Sequence, residues 1–344
     1  MQCFYSPRQA DHSPDTFLLR GEPAPSPEQS TRADVLLAAL DDAGLAVEQL
    51  DGQGSAALAQ RLALVHQPRY LTFLKTIQQR WGELPGAPQR VAPNVHPTSS
   101  AQHYPSHPVG QAGWHLHDMA CPLGPTSYDG IVASAATAER AAEAVLLDAS
   151  QRSYALCRPP GHHAGPERAG GFCFLNNAAL AASVLRERFA RVAIVDVDLH
   201  HGNGTQDIFY ARNDVWTGSV HADPDGFYPF FWGTAAETGE GAGEGFNRNV
   251  PLPVGADGDA FMAGLETLLD GFGKFNAEAV VIALGLDAHQ DDPLAGMSLT
   301  TADFTRVGKR LAQLTQPMVV VQEGGYPTPA LGANLSAFLT GLNG

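Results

Sequence analysis

The chain has 344 residues, 44% hydrophobic and 17% charged, which is enough apolar material for two average domains or one large α/β domain and too much for a disordered chain. Its formal net charge of −15 argues against nucleic-acid phosphates or an anionic membrane as partners and suits a cationic small molecule. Cys3, Cys121, Cys157 and Cys173 form no CxxC pair, no apolar run approaches the roughly 18 residues of a membrane span, and Met1–Pro7 lacks the pattern of a signal peptide, so a cytoplasmic protein is expected.

In chain order, Gln2–Tyr5 reads as a short first strand, and residues 6–30, with Pro7, Pro14, Pro23, Pro25 and Pro27, as a polar loop. A helix from Thr31 to about Ala43 is predicted to bury Val35, Leu36, Leu37 and Leu40. Further helices begin near Ser55 and after Pro68, the second carrying Tyr70, Leu71, Phe73, Leu74 and Ile77. Residues 82–126 form a Pro/His-rich, irregular insertion, and a segment of that length is expected to be functional or an interface. It holds His96, His103, His107, His115 and His117 and no acid between Glu83 and Asp118; without tight ligand spacing, a solvated loop is expected there in place of a zinc site. An alanine-rich helix follows, from about Tyr128 to Leu147.

Beyond it, strands and helices alternate. Strands are predicted at 154–157, 192–198, 215–221, 279–285 and 318–322, and helices at 176–189, 206–212, 259–276 and 301–314, with a last helix ending near Leu342. The alternation predicts an α/β fold with a mostly parallel central sheet covered on both faces. With no repeat and no linker, residues 1–344 read as a single domain.

Polar residues gather just after these strands, where open α/β sheets hold their ligands. Val192–Val195 is a β-branched, continuously apolar run, the pattern of a strand buried on both faces, and Asp196, Asp198, His200 and His201 follow it at once. Such a cluster is either a satisfied polar network or a metal site, and its spacing favours the metal. Asp198 and His200, with Asp287 from another strand end, would make a three-ligand site with an open position for water and a carbonyl. His162 and His163 follow a Pro-Pro-Gly turn and would serve as general base and acid, with Asp196 orienting one imidazole and Asn203 the other. Tyr326, after two glycines, would donate to an oxyanion. No Gly-x-Ser-x-Gly elbow offers a nucleophile instead.

Five segments in order, Arg158–His163, Gly171–Asn177, Asp196–Gln206, Gly285–Asp287 with Asp292–Pro293, and Glu323–Tyr326, resemble the histone deacetylase and acetylpolyamine amidohydrolase superfamily. The N-terminal region, the insertion and Tyr228–Phe231 are most similar to its bacterial acetylpolyamine amidohydrolase branch. The resemblance implies a three-layer, arginase-like α/β fold and one catalytic zinc at Asp198, His200 and Asp287. It implies a His162–Asp196 pair, a His163–Asn203 pair of class II type, and Tyr326 as carbonyl electrophile. Phe172 and Tyr228 match the aromatic walls of an acyl-lysine tunnel, and the Gly171 carbonyl would meet the substrate amide N–H. A structural potassium is implied at Asp196, Asp198, His200, Ser219 and Val220. Leu294 stands where a polyamine-selective relative places a glutamate, which argues against strong polyamine specificity.

The expected activity is zinc-dependent hydrolysis of N-acyl amines such as acetylpolyamines or acetyl-lysine by metal-activated water, in a homodimer whose insertion narrows the site entrance. Two other readings compete. An arginase-like binuclear manganese ureohydrolase would use Asp287, His289 and Asp291, but leaves His162, His163 and Tyr326 without a role. A non-catalytic acyl-amine binding protein would not need every catalytic position filled.

Overall fold

The computed structural model describes residues 1–148, 152–294 and 296–344. Its elements are β1 (Gln2–Tyr5), β2 (Thr16–Leu19), β3 (Glu22–Pro25), α1 (Thr31–Asp42), β4 (Val47–Gln49), α2 (Ala56–Leu62), α3 (Pro68–Gly82), α4 (Pro108–His115) and α5 (Ser127–Leu147). They continue as β5 (Arg152–Ala155), α6 (Asn177–Leu185), β6 (Val192–Asp196), α7 (Asn203–Phe209), β7 (Val215–Ala222), β8 (Asn247–Leu252), α8 (Gly258–Phe275), β9 (Ala279–Leu284), α9 (Thr301–Ala312), β10 (Met318–Gln322) and α10 (Leu331–Asn343).

Among the described residues the central sheet has eight strands in the order β4-β1-β5-β10-β9-β6-β7-β8, each parallel to its neighbours. Period-2 alternation sends consecutive side chains into two separate cores. Val192 and Ile194 of β6 join the core under α5 and α6, while Ala193 and Val195 join the one under α8, α9 and α10. β9 divides the same way, Val281 to one face and Ile282 to the other. The architecture is therefore three layers, helices on both faces of a parallel sheet, as the alternation predicts. α8 buries Phe261, Leu265, Leu268, Leu269 and Phe272, a stripe with helical spacing.

Several expectations need correcting. Residues 6–30 are not all loop: β2 and β3 form an antiparallel hairpin whose turn, Arg20-Gly21, has φ of 53° and 86°. Positive φ at both positions matches the twist of a tight hairpin, and the prolines that disguise it lie on an edge strand. α1 turns Arg32, Ala33, Leu36, Ala39 and Leu40 inward and leaves Val35 exposed, because its apolar residues surround the helix and periodicity cannot choose a face. The insertion contains α4, with Pro108 at its first turn and His107 accepting the Val109 N–H at 3.2 Å. Val91 and Leu116 also bridge to Leu123 and Ala169. Of its five histidines His96, His103, His107 and His117 are exposed, while His115 is buried between the Tyr104 hydroxyl at 2.8 Å and the Glu167 carbonyl at 2.7 Å. Strand β6 stops at Asp196, which puts Asp198 and His200 on the loop beyond it. β4 and β8 were not expected; Asn247 and Asn249 of β8 point into a polar network around Gln206, so no apolar alternation marks the strand.

Candidate metal centre and active site

The carboxyl ends of β5, β6, β9 and β10 are adjacent in the sheet, and the loops leaving them converge. Asp198 and Asp287 are fully buried (0% exposed), and the Nδ1 of His200 lies 3.1 Å from Asp198 Oδ1 and 3.1 Å from Asp287 Oδ2. The three ligating atoms lie within 4.8 Å of one another. Backbone donors aim both carboxylates: Gly324 N–H reaches Asp198 Oδ2 at 2.8 Å, and Leu199 N–H reaches Asp287 Oδ1 at 3.1 Å. A Cβ at Gly285 would collide with Asp198, and one at Gly324 with both Asp198 and Asp287, so glycine is required at each.

Two buried carboxylates need a compensating positive charge. His200 provides one: burial pushes its imidazole down, but hydrogen bonds to Asp198 and Asp287 raise it to about 9. Burial also works against ionised Asp198, yet His162 and His200 hold its carboxyl below the usual range, while burial and the Asp198 charge push Asp287 up. The donor set of two carboxylate oxygens and one imidazole, already held together and short of positive charge, fits a divalent cation such as zinc.

The two adjacent histidines differ in their partners. His162 Nδ1 donates to Asp196 Oδ2 at 2.9 Å, and His163 Nδ1 donates to Asn203 Oδ1 at 2.7 Å. Burial lowers both, but the charges of Asp198 and Asp196 raise His162 to about 10. His163 faces a neutral amide and is held well below its ordinary value by burial and then by the charges of His162 and His200. A protonated and a neutral imidazole thus stand side by side, with ring centroids 4.0 Å apart.

Gly171 has φ of +52°, and a Cβ there would run into the His163 ring. Phe172 is also left-handed, at φ 69°, and its ring stands edge-on to Tyr326 at 5.6 Å. Tyr228 stands edge-on to His163 at 5.0 Å and to His200 at 6.1 Å. Leu294 is half-buried against the core beneath α8 and α9. Asp196 and Ser219 are directly opposed across β6 and β7, and Val220 follows in the core. His289 accepts the Asp291 N–H at 3.1 Å, and neither joins the Asp198–His200–Asp287 group.

Residues without a role assigned from sequence complete the site. Glu323 is fully buried, and its Oε2 accepts from Gly161 N–H at 2.6 Å and His162 N–H at 3.0 Å, which fixes the His-His turn. Asp292 holds the backbone of Tyr326, and Arg32 reaches from α1 to the carbonyls of Glu323 and Gly325, with its guanidinium 5.3 Å from the Tyr326 ring. Phe17 of the hairpin stands 5.5 Å from Phe172. Asp118 joins Gly171 to Tyr228. For Glu323 the adjoining Gly-Gly-Tyr was a signal; Arg32, Phe17 and Asp118 act only through distant contacts.

The histone deacetylase domain model matches residues 26–342. The chain is 41% identical to an acetylpolyamine amidohydrolase of Burkholderia pseudomallei, over 99% of this chain and 98% of that one. It is 36% identical to an acetylpolyamine amidohydrolase of Mycoplana ramosa over the full length of both. The crystal structure of acetylpolyamine aminohydrolase from Burkholderia pseudomallei superposes with a TM-score of 0.94 at 40% identity, covering 100% of this chain and 98% of that one. With its three layers, parallel sheet and strand-end site, this chain belongs to the histone deacetylase family.

Proposed function

We propose that the chain is a zinc-dependent deacylase that hydrolyses N-acetyl and related N-acyl amines, a linear-amide amidohydrolase whose substrates include acetylpolyamines. Family membership carries the coarse activity, and the full-length relatives named for acetylpolyamines support the substrate class. The observation that carries the metal chemistry is the convergence of buried Asp198, His200 and Asp287 beside two histidines with different partners, a carboxylate for His162 and an amide for His163. Zinc held by those three residues would polarise the amide carbonyl and activate the attacking water.

The remaining work falls to this chain's side chains. Phe172 and Tyr228 flank the acyl chain, and the Gly171 carbonyl accepts the amide N–H. Neutral His163 takes a proton from water; protonated His162, held by Asp196, supplies positive charge and stabilises the carboxylates around it. The proton then passes to the departing amine, and the Tyr326 hydroxyl donates to the oxygen that gains charge. A structural potassium at Asp196, Asp198, His200, Ser219 and Val220 is supported by the direct opposition of Asp196 and Ser219.

We assign residues 1–344 to one catalytic domain and infer a homodimer in which the insertion at 82–126 narrows the entrance. Among the described residues no helix is long and apolar enough to cross a membrane, and the four cysteines are free and buried, which supports a reducing, cytoplasmic setting. The arginase-like alternative lacks support, since His289 and Asp291 stand apart from the metal cluster. The deciding experiment measures zinc content and turnover of acetylputrescine and an acetyl-lysine peptide by the same preparation. Turnover with one zinc per chain is expected; a zinc-loaded protein inert towards every N-acyl amine would overturn the proposal.

A further inference from the structure

The two sides of the cleft above His163 come from separate segments, and one carboxylate ties them together. Asp118 is the first acid after the acid-free stretch from Leu84 to His117 and lies between α4 and α5. Its Oδ2 accepts from the Tyr228 hydroxyl at 2.7 Å and from the Gly171 N–H at 3.0 Å. Its Oδ1 accepts from Ala120 N–H at 2.9 Å, which fixes the orientation of the carboxylate itself. The backbone leaves room for this clamp and little more: a Cβ at Gly170 would stand 3.3 Å from the Tyr228 hydroxyl and 3.4 Å from Asp118 Oδ2.

Tyr228 needs such an anchor. It lies on the long connection between β7 and β8, outside any helix or strand, and the next two aromatic residues, Phe230 and Phe231, are 54% and 77% exposed. Its ring nevertheless stands edge-on to both His163 and His200. Ring contacts alone are weakly directional, whereas a phenol donating to a carboxylate is short, strong and geometrically specific. A phenylalanine at position 228 would keep the ring and lose the anchor.

We propose that Asp118 is a positioning residue for acyl-amine hydrolysis: by accepting from Tyr228 and Gly171 at once, it fixes the separation of the two walls between which the acyl amide enters. The clamp rests on the reading of this cleft as the acyl-amine tunnel. It acts through geometry, so its effect is independent of substrate charge. Asparagine keeps one side-chain oxygen for both donors but turns its NH2 towards the Ala120 N–H, whereas alanine keeps no acceptor at all.

The test compares wild type, Asp118→Asn, Asp118→Ala, Tyr228→Phe and the Asp118→Ala/Tyr228→Phe double variant, each loaded with zinc, on acetylputrescine and a neutral acetyl-amide of matched length. Asp118→Ala is expected to raise KM about tenfold on both substrates with kcat changed about threefold or less, the pattern of lost binding geometry. Asp118→Asn should lose clearly less than Asp118→Ala, and the double variant should be no worse than Asp118→Ala, because both changes break the same hydrogen bond. In a crystal structure of Asp118→Ala the Tyr228 ring should move off His163 by about 1 Å, which widens the entry for the acyl amide and leaves the reacting atoms in place. An unmoved ring, additive effects, or a loss confined to the cationic substrate and shared by Asn and Ala would overturn the proposal. If Asp118→Ala does not fold, Tyr228→Phe with unchanged KM on both substrates would overturn it equally. If wild type turns over neither substrate, the functional reading fails, and the ring position in the variant crystal still decides the clamp.

Discussion

The backbone N–H of Tyr326 donates to Oδ2 of Asp292 at 3.0 Å. The other oxygen of Asp292 takes the N–H of Leu294 at 2.9 Å, so one buried carboxyl fastens the loop after β10 to the loop after β9. Burial pushes this carboxyl up to about 7, the charge of Asp287 adds to the shift, and the two N–H donors work against it. Leu286 N–H on the Gly324 carbonyl at 3.1 Å ties the same two loops, and Gly324 N–H on Asp198 ties the loop after β10 to the one after β6. The phenol of Tyr326 is thus aimed by its main chain, without help from its own hydroxyl.

That arrangement makes Tyr326→Phe a clean variant. Removing the hydroxyl leaves the anchoring N–H, the ring contact with Phe172 and the metal cluster in place. Zinc content should be unchanged and kcat should fall about a hundredfold or more, the scale of losing one oxyanion donor. Metal analysis alongside kcat checks it; near-normal turnover would reduce Tyr326 to a core residue.

Asp198→Ala or Asp287→Ala should abolish zinc retention and activity together. Each carboxylate would supply one of three ligating atoms in the proposed zinc site, and its removal also strands backbone donors, Gly324 and His200 N–H in one case and Leu199 N–H in the other. A stranded buried donor costs about 1–3 kcal/mol, so a lower Tm is expected as well. Asp198→Asn and Asp287→Asn keep the volume and separate the two effects. Stoichiometric zinc in a purified Asn or Ala variant would exclude that residue from the ligand set.

Much of this site was legible because its chemistry is local in sequence. His162 and His163 are neighbours, and Asp196, Asp198, His200 and Asn203 lie within one strand end and its loop. Asp287 could be added from another strand because parallel strands bring their carboxyl ends to one rim. The fold was legible where both faces of a strand are apolar, as in Val192–Val195 and Met318–Val321. The hairpin was not, since prolines occupy its second strand, and neither was β8, whose inward asparagines meet a polar partner in Gln206. Asp118 and Arg32 carry no local signature; each matters through a backbone group or ring far away in the chain.

Stability should fall in mild acid through two buried neutral histidines away from the metal cluster. Burial, with the nearby charge of Arg158, pushes His12 down to about 3, and burial pushes His66 down to about 4. His66 donates from Nδ1 to the Gly165 carbonyl at 2.9 Å and accepts Asn176 N–H on Nε2 at 3.0 Å, so protonation would break the second bond. Unfolded, each titrates near 6.5. Between 6.5 and the folded value the unfolded state binds more protons, so stability rises with pH in that window. The contribution is complete above 6.5 and is lost as pH falls towards 4, by at most on the order of 3 kcal/mol for His66. Urea unfolding from pH 7.5 to 4.5 should show a shallower pH slope for His66→Gln than for wild type. An unchanged slope would remove His66 from the account.

Selectivity among amines turns on where carboxylates stand around the cleft. Leu294 brings none to its position, where its side chain is half-buried against the core. Asp118 is engaged on both oxygens by Tyr228, Gly171 and Ala120. In the acidic connection between β7 and β8, Glu237 is bound by Gly233, Thr234 and Gln206, and Glu244 takes the Thr238 hydroxyl. A distal ammonium therefore meets general negative charge at a solvated rim, and a screened pair there contributes only about 0–1 kcal/mol, at most a several-fold preference. Acetylputrescine and acetylspermidine should show kcat/KM within about tenfold of a neutral acetyl-amide of matched length, and Leu294→Glu should add a further several-fold in favour of the polyamines. Parallel kcat/KM measurements on wild type and Leu294→Glu check both. A wild-type preference above about a hundredfold, equivalent to about 2.7 kcal/mol, would contradict the argument and require a desolvated carboxylate at the tunnel mouth.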